Sequence, residues 1–135
     1  NYSKENFTKK VKEITNGVGV PVVYDGVGKE TFDGSIECLK VRGTMVSFGN
    51  ASGPLDPCNV TKSLAPKGLY LTRPSIAHYT TTREELDEAA NKVFEMFITK
   101  KFTLNIFKKY PLDKIIEAHQ DLENRKILGP AVIIP

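Results

Sequence analysis

Apolar residues recur along the chain in two alternating rhythms. Phe7, Val11 and Ile14 stand four and three residues apart, which predicts a helix over about residues 4–15, capped by Ser3 and stopped by Asn16-Gly17. The rhythm then changes. Residues 20–24, Val-Pro-Val-Val-Tyr, form a short continuous apolar run rich in β-branched side chains, as expected of a strand buried on both faces of a parallel sheet. A second helix is predicted over about 30–39, where Phe32, Ile36 and Leu39 share a face, and a second strand over 44–48. A short helix near 59–64 and a strand over 69–72 follow. Thr82-Arg-Glu-Glu85 has the capping-box pattern and opens the longest helix, with Leu86, Ala90, Val93, Phe94 and Phe97 as its stripe. Alternation over 104–107 predicts another strand, Pro111-Leu-Asp113 another helix, and Ala131-Val-Ile-Ile134 a last strand.

Strands and helices that alternate with short connections define an α/β fold around a parallel sheet. In such a sheet, ligands bind beyond the carboxyl ends of the strands. Two glycine-rich loops belong at that edge, Asp25-Gly-Val-Gly28 and Gly49-Asn-Ala-Ser-Gly53. Two readings compete for the second. Its small residues supply turn geometry, or they leave room for something flat against the backbone.

Composition narrows the class. The 135 residues are about one domain, with 40% hydrophobic and 26% charged residues, and this argues against disorder. A net charge of +3, from intermixed acids and bases, is too balanced to imply a nucleic-acid partner on its own, and such a partner is not expected. No apolar run reaches the roughly 20 residues of a membrane span, and no signal peptide is apparent. Two cysteines, Cys38 and Cys58, make no disulfide framework, so a cytoplasmic setting is expected. The Asn-x-Ser/Thr triplets at Asn6, Asn50 and Asn59 are read as chance on the same ground.

Candidate chemistry is sparse. Gly26-Val-Gly28 lies between a strand and a helix, as in a dinucleotide fingerprint, but Thr31 occupies the place of the third glycine. On spacing alone these glycines are turns. Cys38, Cys58, His78 and His119 lack metal-ligand spacing. No Gly-x-Ser-x-Gly elbow is present. Arg73 and Arg125 each end an ordered element; either a phosphate or a structural ion pair would suit such an arginine.

Several stretches together resemble one family. They are residues 22–28 (Val-Val-Tyr-Asp-Gly-Val-Gly), 43–53 (Gly-Thr-Met-Val-Ser-Phe-Gly-Asn-Ala-Ser-Gly), 71–75 (Leu-Thr-Arg-Pro-Ser), 110–112 (Tyr-Pro-Leu), and the ending from Ala118-His119 through Arg125 to Pro135. They resemble the zeta-crystallin-like NADPH:quinone oxidoreductases, the zinc-free branch of the medium-chain dehydrogenase/reductase superfamily. The resemblance implies that residues 1–100 are the second half of a Rossmann parallel sheet. Residues 101–135 would be a C-terminal segment that returns to a GroES-like catalytic domain, absent from these residues. It implies hydride transfer from NADPH to a quinone, with no catalytic side chain and no metal site in this chain. Tyr2 would meet the adenosine ribose and its 2′-phosphate, and Gly26 and Val27 the adenine end. Phe48, Gly49 and Asn50 would line the nicotinamide side, and Arg125 would meet a cofactor phosphate or ribose. The strand from Leu69 to Thr72 would pair two subunits into a homodimer. The alternative is a truncated, non-catalytic module that keeps dimerisation and weak nucleotide or RNA contact.

Overall fold

The computed structural model describes residues 1–135, which form two compact units, Asn1–Tyr79 and Thr80–Pro135. The first unit opens with helix α1 (Phe7–Ile14). Its cap is Asn6, whose side chain accepts from the Lys9 N–H at 2.9 Å. The expected cap Ser3 instead donates its N–H to Asn1 Oδ1 within a tight N-terminal turn. Strand β1 (Val20–Asp25), helix α2 (Phe32–Cys38) and strand β2 (Leu39–Ser47) follow. After the short helix α3 (Val60–Ser63) comes strand β3 (Tyr70–Thr72). The sheet order is β1-β2-β3, all parallel, with Val22 opposite Thr44, Asp25 opposite Ser47 and Thr44 opposite Tyr70.

Strand β2 starts earlier than its apolar run, directly out of α2. Its first residue, Leu39, pairs with Val20, then the register slips before Val22 meets Thr44. The surplus residues bulge through Arg42, at φ 60°, and Gly43.

The core lies on one side of this sheet. Phe32, Ile36, Leu39, Met45 and Leu69 form it, with Val20, Val23, Leu55 and Leu64 packed around them. The expectation that β1 is buried on both faces therefore fails within these residues. Tyr24 is 74% exposed and Val22 38%. No strand pairs with the outer edge of β1.

The second unit contains helix α4 (Arg83–Ile98), strand β4 (Lys108–Pro111), helix α5 (Ile115–Glu123) and strand β5 (Ala131–Ile134). The capping box forms: Thr82 accepts from the Glu85 N–H, and the Glu85 carboxylate accepts from the N–H groups of Thr81 and Thr82. The stripe on α4 forms too, but Leu86, Val93, Phe94 and Phe97 stay exposed. Strands β4 and β5 are parallel, with Tyr110 opposite Ile133.

The strand expected over 104–107 lies four residues further on, at 108–111. Tyr110 decides the register. It is buried, and its hydroxyl donates to Asp121 of α5 at 2.8 Å. Lys108 Nζ reaches Asp121 and Glu117, both at 3.1 Å, and sits over the Tyr110 ring. No helix is long and apolar enough to cross a membrane.

Candidate functional site

The carboxyl edge of β1 and β2 ends in the two glycine-rich loops. Asp25 closes β1 and is buried. One carboxylate oxygen accepts the N–H groups of Val27 (2.8 Å) and Gly28 (3.0 Å). The Thr31 hydroxyl approaches both oxygens, and the Ser35 hydroxyl donates to the other at 2.8 Å. Burial pushes this carboxyl up, but the bonds from Gly28, Ser35, Thr31 and Val27 outweigh it and hold Asp25 below its ordinary pKa. A buried charge is thus compensated by dipoles alone.

The second loop lies along the first. Phe48 and Gly49 donate their N–H groups to the Asp25 main-chain oxygen at 2.9 and 3.3 Å. The Ala51 N–H reaches the Gly26 oxygen, and the Ser52 N–H the Val27 oxygen at 2.7 Å. The Ser52 hydroxyl donates to the same Val27 oxygen and accepts from the Glu30 N–H.

This zipper explains the small residues. A Cβ on Gly49 would lie 2.7 Å from Gly26 Cα. A Cβ on Gly28, itself at φ 91°, would lie 3.0 Å from the Gly53 oxygen and 3.1 Å from Asn50 Cα. Loop packing therefore demands glycine at 49, and the left-handed φ together with these close approaches favours it at 28.

The expected site residues fall into two groups. Tyr2, Gly26 and Val27 line one apolar groove of about 270 Å³ with Phe7, Val11 and Val23. Phe48 is half exposed, and a Cβ on Gly26 would meet its ring at 3.0 Å, so Phe48, Gly49 and Asn50 adjoin the same edge. Arg125 belongs to the second unit, in the left-handed turn after α5. Arg73 donates to the Ser47 oxygen at 2.9 Å and so braces the end of β2. Cys38 is buried at the groove, and burial pushes its thiol up.

Asp25, Thr31, Ser35 and Ser52 are not among the expected site residues, although Asp25 and Ser52 lie in the two expected loops. The available signal was an Asp at a strand end, followed by hydroxyl residues on the next helix. In the sequence, Thr31 stands only at the place of a third fingerprint glycine.

The loops test what could bind here. A pyrophosphate needs free N–H groups. Those of Val27, Gly28, Phe48, Gly49, Ala51, Ser52 and Gly53 all bond within the two loops. The half-exposed Phe48 ring lies beside Gly26 at the same edge.

A parallel α/β sheet with interlocked loops at its carboxyl edge defines a Rossmann-like nucleotide-binding architecture. The chain belongs to the zinc-binding dehydrogenase family, whose model matches residues 1–133. It is 44% identical to a quinone oxidoreductase of Salmonella typhimurium and 38% identical to a 2-haloacrylate reductase of a Burkholderia species, over its whole length in each case. It spans 42% and 41% of those relatives and corresponds to the C-terminal part of the quinone oxidoreductases. The Escherichia coli quinone oxidoreductase solved with NADPH superimposes at a TM-score of 0.93 and 43% identity, over 100% of this chain and 42% of that one. A mycobacterial protein solved with NADPH gives 0.87 and 45%, over 96% and 40%. Despite the family's description, these residues contain no group of three or more His, Cys, Asp or Glu placed to hold a metal, so the donor set does not fit zinc.

Proposed function

We propose that this chain is part of an NADPH-dependent quinone oxidoreductase, and that its two loops hold the two ends of the cofactor. The superposition on a quinone oxidoreductase solved with NADPH is the observation that carries this reading. When bound, the nicotinamide supplies the hydride. The chain's own residues bind, orient and exclude water. Tyr2, Gly26 and Val27 serve the adenosine end, Phe48, Gly49 and Asn50 the nicotinamide face, and Arg125 a phosphate or ribose. A rigid floor that holds donor and acceptor face to face lowers the entropic part of the barrier.

In this reading, residues 1–100 complete a Rossmann domain and 101–135 pack on a GroES-like catalytic domain. An upstream half-domain would pair with the open edge of β1 and cover Tyr24. The three residues of β3 are exposed at the opposite edge, which suits strand pairing in a homodimer. A cytoplasmic location accords with two free thiols.

The acceptor is an electron-poor quinone. A relative that reduces 2-haloacrylates makes activated alkenes the comparison substrate. The test is intact mass and NADPH calorimetry on the natural protein, followed by reduction of a quinone and of 2-chloroacrylate. Preferred turnover of the quinone supports the reading. NADPH binding without turnover of either would leave the non-catalytic module. Tyr2→Ala is expected to weaken NADPH more than NADH; equal losses would remove the 2′-phosphate role.

A further inference from the structure

Asp25 and Ser52 grip the two loops from opposite ends. Asp25 takes Val27 and Gly28 on its carboxylate and Phe48 and Gly49 on its main-chain oxygen. Ser52 places both its N–H and its hydroxyl on the Val27 oxygen, and its hydroxyl oxygen takes the Glu30 N–H. The carboxylate is itself fixed by Thr31 and Ser35, so the orientation of α2 is passed directly to the loops.

We propose that Asp25 and Ser52 are positioning residues. They lock the two loops into one preformed floor, and the stiffness of that floor sets the affinity for the nicotinamide nucleotide. This rests on the reading that the loops face NADPH. Asp25 is only 4% exposed, and both its carboxylate oxygens are committed to the protein. It acts by preorganisation: loops already ordered pay no ordering cost when the ligand arrives.

The variants separate this from a general loss of stability. Asp25→Ala removes every side-chain bond. Asp25→Asn keeps an acceptor for Val27 and Gly28, and its amide donates to Thr31 and Ser35 hydroxyls, which can turn to accept. Ser52→Ala removes the hydroxyl bonds and keeps the N–H bond. Each is made in the protein at its natural length and measured where circular dichroism shows it folded.

Two quantities are measured, amide hydrogen exchange and NADPH dissociation constant by calorimetry. Asp25→Ala is expected to speed exchange at Val27 and Gly28 and also at Ala51 and Ser52, which its side chain does not touch. It should weaken NADPH about tenfold, the equivalent of about 1.4 kcal/mol. Asp25→Asn should restore most of that affinity, and Ser52→Ala should lose about threefold. Dissociation constants of Asp25→Ala and Ser52→Ala within about twofold of wild type overturn the proposal, and so does faster exchange confined to Val27 and Gly28 in Asp25→Ala. If Asp25→Ala does not fold, the threefold loss expected of Ser52→Ala decides. A wild-type protein that binds no NADPH overturns the functional reading and this proposal with it; wild-type binding with unaltered variants overturns the clamp alone.

Discussion

Gly49→Ala puts one methyl group between the two loops. The new Cβ would lie 2.7 Å from Gly26 Cα and 2.8 Å from its carbonyl carbon, where ordinary contact starts at 3.4 Å. The Gly26 carbonyl oxygen stands closer still, so the loops must part by more than about 0.7 Å, and all three obstacles are backbone, which cannot rotate away. The bond from Gly49 N–H to the Asp25 oxygen already spans 3.3 Å and would break. Overpacking costs about 1–3 kcal/mol and the lost bond about 0.5–1.5 kcal/mol. The expected loss is therefore about 2–4 kcal/mol, a drop in Tm of roughly 10–30 °C for a unit of this size. The chain has no tryptophan, so urea and thermal unfolding followed by far-ultraviolet circular dichroism is the assay. Gly129→Ala is the control. Its Cβ would meet Phe107 at an ordinary 3.4 Å, and the cost should stay within about 0.5 kcal/mol. A Gly49→Ala protein as stable as the control would refute the claim that loop packing demands this glycine.

Lys67 donates to the main-chain oxygens of Leu39 (2.7 Å), Glu37 (2.9 Å) and Ile36 (3.5 Å) and so satisfies the end of α2. Lys67→Met keeps the stem and should cost about 2 kcal/mol in urea unfolding; no change would mean that water replaces the ammonium. Thr82→Ala removes the cap of α4 and should cost about 1 kcal/mol, read as lost helicity on heating. Asp121 is held down at about 2, against an ordinary 3.8, by bonds from Tyr110, Lys108 and Lys126 that outweigh burial. A depressed carboxyl stabilises above its unfolded pKa, so its contribution is complete above about pH 4 and fades between pH 4 and 2. Asp121→Asn should accordingly lose stability at neutral pH and converge on wild type near pH 2; parallel pH curves would contradict the bonding network.

What the sequence made legible was local. The capping box of α4 and the strand at Ala131–Ile134 rest on neighbouring residues, and both appear where the pattern places them. Strand β2 begins early because Leu39 finds Val20 across the sheet, a pairing that the polar residues Lys40 and Arg42 conceal. The alternation at 104–107 misplaced β4 because Tyr110 and Asp121, eleven positions apart, choose the register. The one-sided burial of β1 depends on what neighbours the sheet has, which its own run of valines does not encode. At the candidate site, the glycines were visible and their reason was not. Their reason is a second loop more than twenty residues away, and the Asp25 network that joins it is tertiary throughout.

The most direct test of the account is hydrogen exchange by mass spectrometry on the natural protein, with and without NADPH. The account predicts that NADPH slows exchange in segments 25–28 and 48–52 together, because they are one floor under the cofactor. Binding that leaves both segments unprotected would contradict it.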